Sequence, residues 1–253
     1  MPLKLHNFGE PPSIPKQSFF CQKLETYFRA AGYREYVTVA SLPSGGPKGK
    51  LPFVTLEGGE KLADSHWAVR ELVRRGMVRD LDAGLSEEQK MDTRVWQSYI
   101  EDTVFPANVV TRYGDDTNWA TFVSEALGKI PFLARAPLAY VIRRGALGQL
   151  WARGTGRYTK PQIRELLDDA IRNIELKVGQ HSGEGAWFVF SGEGPTSIDV
   201  VLYSWLVCVL CTGCNPVQRE GVVRSERLRR WVFELTKLWF PEYEGILAVT
   251  GDR

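Results

Sequence analysis

In the first third of the chain apolar and polar positions alternate over short stretches; beyond it they recur at helical intervals. Lys4 to Phe8 reads as a strand. Gly9 to Pro15 then reads as a loop, because three prolines fix φ and remove backbone donors. Cys21, Leu24, Phe28 and Ala31 stand three and four apart, one face of a helix that stops at Gly32. Tyr36 to Val39 predicts a buried strand and Phe53 to Leu56 another; Lys61 to Ala63 closes a hairpin across Glu57-Gly58-Gly59-Glu60, where two glycines accept positive φ. Asp64 and Ser65 occupy the N-cap region of a helix faced by Trp67, Val69, Leu72 and Val73 and ended by Gly76. The order is β-α-β, then β-β-α, with Pro43 to Gly49 as the loop between the halves.

From Glu87 onward the pattern holds no strand. Met91, Val95, Trp96, Tyr99 and Ile100 mark a long helix that Pro106 bends or ends; Trp119, Phe122, Val123, Ala126 and Ile130 mark a second, stopped by Pro131. Leu138 to Trp151 is a third, closed by Gly154 and Gly156. Thr159 with Gln162 has the form of a capping box and opens a helix whose face is Ile163, Leu166, Leu167, Ala170, Ile171 and Ile174. Thr196 with Asp199 repeats the device ahead of Val200 to Cys211, whose nearly all-round apolarity predicts the central buried helix of a bundle. Leu228, Trp231, Val232, Leu235 and Trp239 make the last predicted helix. The chain thus divides into a mixed domain over 1–80, a linker over 81–86 and an all-helical domain over 87–253.

Composition narrows the class. With 253 residues, 43% hydrophobic and 25% charged, the chain is globular, which sets aside disordered, collagen-like and fibrous readings. Lys+Arg at 32 against Asp+Glu at 30 leaves a net charge of +2, and the basic residues are scattered, so no nucleic-acid surface is expected. Val200 to Cys211 is too short for a membrane span, and the first residues lack a basic stretch followed by an apolar one; a cytoplasmic protein is expected. Four cysteines, three of them crowded at Cys208, Cys211 and Cys214, fit a reducing compartment better than a secreted disulfide framework. No metal is expected there, because two of the three lie on an apolar helix and no fourth ligand is near. His6, His66 and His181 show no base-and-nucleophile pattern, and Gly192-Glu193-Gly194 lacks the setting of a phosphate cradle. Arg135, Arg143, Arg144, Arg153 and Arg157 read as a solvated helix face, with a partner or anionic-lipid surface as the second reading. Tyr99, Phe105, Tyr113 and Trp119 are core, or the lining of an apolar cleft.

Chemistry points to the start of the first helix, Gln17-Ser18-Phe19-Phe20-Cys21. Unshared N–H groups and a partial positive charge favour an anion there, a thiolate included. On residue type alone Ser18 is an N-cap or a donor to sulfur, and Cys21 is a small buried hydrophobe or a nucleophile. Pro52, at a strand start after Lys48-Gly49-Lys50-Leu51, is an edge proline or follows a cis bond. Asp64-Ser65 is a cap, or a seat for a carboxylate and an ammonium group.

These segments resemble the glutathione transferase superfamily, within it the failed-axon-connections branch related to the metaxins. Ser18 to Glu25 is similar to that branch's Ser-Pro-Phe-Cys-x-Lys-x-Glu, Pro47-Lys48-Gly49-Lys50-Leu51-Pro52 to its Pro-Lys-Gly-Lys-hydrophobic-Pro, and Ala63-Asp64-Ser65 to its Asp-Ser. Gly154-Thr155-Gly156-Arg157-Tyr158 and Pro195-Thr196-Ser197-Ile198-Asp199 resemble further elements, and the match runs over roughly residues 3 to 205. The resemblance implies an α+β two-domain fold: a thioredoxin-like N-terminal domain followed by an all-α bundle. It implies glutathione as co-substrate, with the Ser18 hydroxyl holding its sulfur as thiolate. Leu51, ahead of a cis Pro52, would offer its backbone to the cysteinyl part; Asp64 and Ser65 would bind the γ-glutamyl ammonium and carboxylate, and Lys48 or Lys50 the glycyl carboxylate. Thr196 and Asp199 would help the helical domain fold. A small apolar electrophile and a homodimer complete the expectation. Phe19 departs from the branch's proline, which leaves Cys21 as a second centre. Two further readings follow: a transferase-like binding or scaffold protein without turnover, and a thiol reductase working through Cys21.

Overall fold

The computed structural model describes residues 2–180, 187–190 and 194–251. His181 and the Gly192-Glu193 part of the glycine loop lie outside them. The N-terminal unit is a four-stranded sheet of β1 (Leu3–Asn7), β2 (Tyr36–Ala40), β3 (Phe53–Thr55) and β4 (Lys61–Ala63), in the order β2-β1-β3-β4. A crossover through α1 (Phe19–Ala30) makes β1 and β2 parallel, and the β3–β4 hairpin is antiparallel, turning through Gly58 and Gly59 at φ 89° and 87° as the glycines predict. Only a 3-10 turn, Pro43–Gly45, lies between β2 and β3, and α2 (Ser65–Arg74) follows β4. One expectation fails: β2 is an exposed edge strand, not a buried one. Val37 and Val39 suit either setting, because a β-branched run reports strand but not which side of a sheet is covered.

The helical region begins with α3 (Glu87–Ser98), which passes through a π-helical turn, Tyr99–Val104, into α4 (Phe105–Gly114). Pro106 thus sits in the first turn of α4, and the widened turn before it accommodates the N–H that proline lacks, so the chain continues rather than ends. α5 (Asp116–Leu127) is capped by Asp115, which accepts from Thr117 and Asn118 N–H. α6 (Phe132–Arg153) begins six residues before the predicted Leu138 and carries Pro137 in its second turn. α7 (Lys160–Gly179) opens on the reciprocal Thr159–Gln162 box. α8 (Ser197–Leu210) follows, then α9 (Pro216–Arg224), α10 (Glu226–Trp239) and α11 (Glu244–Thr250). The helix around Trp231 is therefore not the last, and α9 escaped the pattern because it is short and weakly amphipathic.

α8 is buried on every side, as its sequence predicts, and α1 lies against it. Sheet unit and helical region share one core that runs from Leu5 and Phe28 through Val201 and Trp205 to Trp239. At the start of α8, Asp199 accepts from Thr196 N–H at 2.9 Å, Thr196 Oγ1 at 2.8 Å and Val189 N–H at 2.8 Å, tying the preceding loop to the helix. Among the described residues no helix is long and apolar enough to cross a membrane.

Candidate functional site

Strand register gathers the predicted residues at one end of the sheet. His6 of β1 pairs with Phe53, and Phe53 pairs with Ala63, so the C-terminal end of β1, the Leu51-Pro52 segment and Asp64-Ser65 lie side by side. The Leu51-Pro52 bond is cis. α1 completes the corner, because Cys21 on its first turn packs on Leu51 and Phe53.

Ser18 stands at the N-cap of α1 with extended backbone, φ −84° and ψ 115°, and its side chain makes no capping hydrogen bond. Phe19, where the resembling branch has proline, is the first residue of α1, and its buried ring packs on Phe105 at 5.6 Å between centroids. The first turn carries no acidic residue, and the N–H groups of Phe19, Phe20 and Cys21 stay unshared within the helix; the acidic side chain beside this start is Glu10, whose Oε1 accepts from Gln17 N–H at 3.2 Å. Cys21, the second centre of the expectation, is buried. It is 1% exposed, and burial pushes its thiol up to about 12 despite a hydrogen bond from Ser18. Burial of this kind disfavours the thiolate.

A buried polar network that the sequence pattern does not announce fixes the loop before Ser18. Lys16 N–H donates to Gln22 Oε1 at 2.8 Å, its ammonium donates to the Glu10 carbonyl at 3.3 Å and lies 3.8 Å from Glu25 Oε2, and its own carbonyl accepts from the Cys208 thiol at 3.0 Å. Tyr243, at the N-cap of α11, also donates to Gln22 Oε1, at 3.2 Å. The available signal was polar Gln22 and Glu25 on the helix that carries the apolar Cys21–Leu24–Phe28 face. Gly9 is fixed as glycine for two reasons: its φ is +82°, and a Cβ there would lie 2.6 Å from Ala40 Cβ.

At the second helix start Asp64 holds φ +76° and ψ 127°, an uncommon backbone for a residue with a side chain. Its Oδ1 caps α2 through His66 N–H at 2.9 Å, and Oδ2 lies 3.9 Å from Lys48 Nζ. Lys48, expected at a glycyl carboxylate, is thus beside Asp64, while Lys50 is exposed. Ser65 is buried in the first turn of α2. Leu51 precedes the paired part of β3, and its N–H and C=O take no part in the loop and turn hydrogen bonds among the described residues.

A cleft of about 380 Å³ lies between the sheet unit and the helical region, lined by Lys23, Ser65, His66, Thr93, Arg94 and Gln97 among others. Of the predicted site residues it takes in Ser65 alone. Lys23 and Glu101 form an ion pair across the two units, and Gln97 Nε2 lies 3.2 Å from His66 Nδ1. Burial, then Lys23 and Arg94, hold the His66 imidazole below its ordinary pKa. Among the described residues no three His, Cys, Asp or Glu side chains are placed to hold a metal ion; Cys208 spends its thiol on the Lys16 carbonyl.

Residues 19–118 match the family model of the glutathione S-transferase N-terminal domain. Failed axon connections of Drosophila melanogaster is 27% identical over 212 residues, 80% of this chain and 49% of that protein. The isoprene-epoxide–glutathione S-transferase of Rhodococcus sp. (strain AD45) is 30% identical over 122 residues, 46% of this chain and 51% of that one. Human metaxin-1 is 25% identical over 246 residues, 95% of this chain and 52% of its own. The chain spans about half the length of these three relatives. Among solved structures, glutathione transferase GSTFuA2 of Phanerochaete chrysosporium superposes with a TM-score of 0.62 at 10% identity, covering 94% of this chain and 98% of that one. A glutathione S-transferase of Methylobacterium radiotolerans in complex with glutathione sulfonate gives 0.56 at 15% identity, over 97% and 94%. The fold is that of the glutathione transferases, a thioredoxin-like N-terminal domain followed by a helical region, and the resemblance read in the sequence holds.

Proposed function

We propose that this chain binds glutathione in the corner formed by Ser18, Leu51 and Asp64-Ser65, and that it acts as a glutathione transferase on a small apolar electrophile. The observation that carries the reading is the Ser18 hydroxyl: it stands at the N-cap of α1 yet is not spent on capping, in a turn that itself carries no acidic residue. The residues fit the tripeptide by charge. The hydroxyl and helix terminus suit a sulfur anion, the Leu51 backbone suits an extended peptide, the Ser65 turn suits a carboxylate and Asp64 Oδ2 an ammonium group. The donors lower the cost of ionisation without taking a proton. Bringing a thiol from about 8.5 to about 6.5 requires roughly 3 kcal/mol, the scale of one hydrogen bond to a charged group together with a helix terminus.

The thiolate sulfur then bonds to the electrophilic carbon as the bond from that carbon to the leaving oxygen breaks, and the oxygen takes a proton from solvent. A small epoxide fits this scheme, in keeping with the name of the Rhodococcus relative. Exposed Trp67 on α2 and Met91 and Val95 on α3 support a homodimer, and four free cysteines support a cytoplasmic setting.

Adding glutathione at neutral pH is expected to raise the ultraviolet absorbance of thiolate, a gain that Ser18→Ala abolishes and Cys21→Ala retains. The second reading, binding without turnover, is favoured by one feature: Ser18 lies beside the buried Cys21 thiol and acts to lower its pKa, an interaction with which a ligand sulfur has to compete. Glutathione binding with no thiolate signal in the unaltered protein would decide for that reading, and no binding at millimolar glutathione would refute both.

A further inference from the structure

α6 lies apart from the site described above. It packs on α4, on α5 and on the 3-10 turn Thr155–Arg157, and leaves more than half of its circumference to solvent. That outer side is apolar. Leu133 is 89% exposed, Tyr140 63%, Val141 65% and Trp151 59%, and with Arg144 they form one stripe at helical spacing; Phe132, 77% exposed, extends it at the N-terminal end.

Charge decides what covers it. Between Glu125 and Glu165 the chain has eight basic residues and no acidic one. Arg143 pairs with Asp116, Arg153 with Asp102, Lys160 with Asp115 and Arg164 with Asp168. Lys129, Arg135, Arg144 and Arg157 have no acidic partner among the described residues, and they flank the apolar positions in turn. Lys129 and Arg135 bracket Phe132 and Leu133; the Arg144 guanidinium reaches the Tyr140 hydroxyl at 3.4 Å; Arg157 lies over the Trp151 ring at 5.4 Å. Two copies of this helix face to face would oppose cation to cation. A convex ridge of aromatic and aliphatic side chains laced with unpaired cations matches the boundary between acyl chains and anionic headgroups, into which such a helix sinks while lying flat.

The geometry points to α6 as a peripheral docking surface for an anionic phospholipid bilayer, with Leu133, Tyr140, Val141 and Trp151 entering the interface and Arg144 and Arg157 meeting headgroup phosphates. Flotation of the full chain with vesicles of phosphatidylcholine alone, or with phosphatidylserine added, tests this. Binding should be at least about tenfold stronger with phosphatidylserine, since each cation at such a surface is worth roughly fivefold. Arg144→Glu, a change of two charges, should weaken it by tenfold or more. The double variant Leu133→Ser/Val141→Ser, at two exposed positions, should weaken it on both vesicle types with circular dichroism unchanged. No preference for phosphatidylserine, or binding that survives both variants, overturns the assignment. So does sedimentation showing a concentration-dependent dimer that Leu133→Ser/Val141→Ser abolishes, which would assign the face to a second copy.

Discussion

Asp199 offers the sharpest test of the packing reasoning, because its carboxylate both caps α8 and is wholly buried. Two backbone donors, Val189 N–H and Thr196 N–H, depend on it. Asp199→Ala strands both, at about 1–3 kcal/mol each, so a loss of roughly 3–5 kcal/mol is expected, a large part of the stability of a typical domain. The pH dependence is more specific. Burial raises the carboxyl from 3.8 to about 6 against the pull of its hydrogen bonds. Between about pH 4 and pH 6 the folded state therefore holds a proton that the unfolded state has lost. Stability contributed at this position falls as pH rises through that window and is level above it, a change of about 3 kcal/mol for two units. Asp199→Asn removes the titrating proton in nearly the same volume. In urea titrations the stability gap between the unaltered protein and Asp199→Asn should widen by about 3 kcal/mol in favour of the unaltered protein from pH 7 down to about pH 4, a difference in which the other carboxylates cancel. A gap constant over that range would refute the claim that burial, rather than hydrogen bonding, dominates this carboxylate.

Two further predictions concern the site at the sheet end. Asp64→Gly and Asp64→Ala both lose the α2 cap, but only glycine relieves the backbone at φ +76°, so the glycine variant should be the more stable by about 1–2 kcal/mol in thermal melts; equal melting would show that this backbone is not strained. Cys21, buried and with its thiol pushed up to about 12, should resist iodoacetamide at pH 8 in the folded protein and react only after urea is added; rapid native labelling traced to Cys21 by mass spectrometry would restore it as a reactive centre.

Much of the candidate site was legible along the chain where the governing interaction spans a few residues. Ser18 ahead of an apolar helix face, Pro52 at a strand start and Asp64-Ser65 ahead of α2 each announce a local event, and the structure puts all three at one end of the sheet. What each side chain does there was not legible. Lys48 lies by Asp64 because the loop and the hairpin meet, and Cys21 is buried because Leu51 and Phe53, some thirty residues on, cover it. The Lys16–Glu25–Gln22–Tyr243 network joins residues up to 221 positions apart, beyond any periodic pattern.

By itself, then, the sequence determined what hydrogen bonds within four residues and apolar period can determine. The reciprocal boxes at Thr159–Gln162 and Thr196–Asp199, the Gly58-Gly59 turn, the β-α-β and β-β-α order and the all-round apolar α8 are of this kind. The tertiary structure alone decided that β2 is an edge, that the chain continues through Pro106 by a π turn, and that the outer side of α6 is left bare. A side chain's propensity reports the backbone it favours, whereas burial and charge pairing depend on which distant segment arrives against it, and that is settled only when the whole core closes.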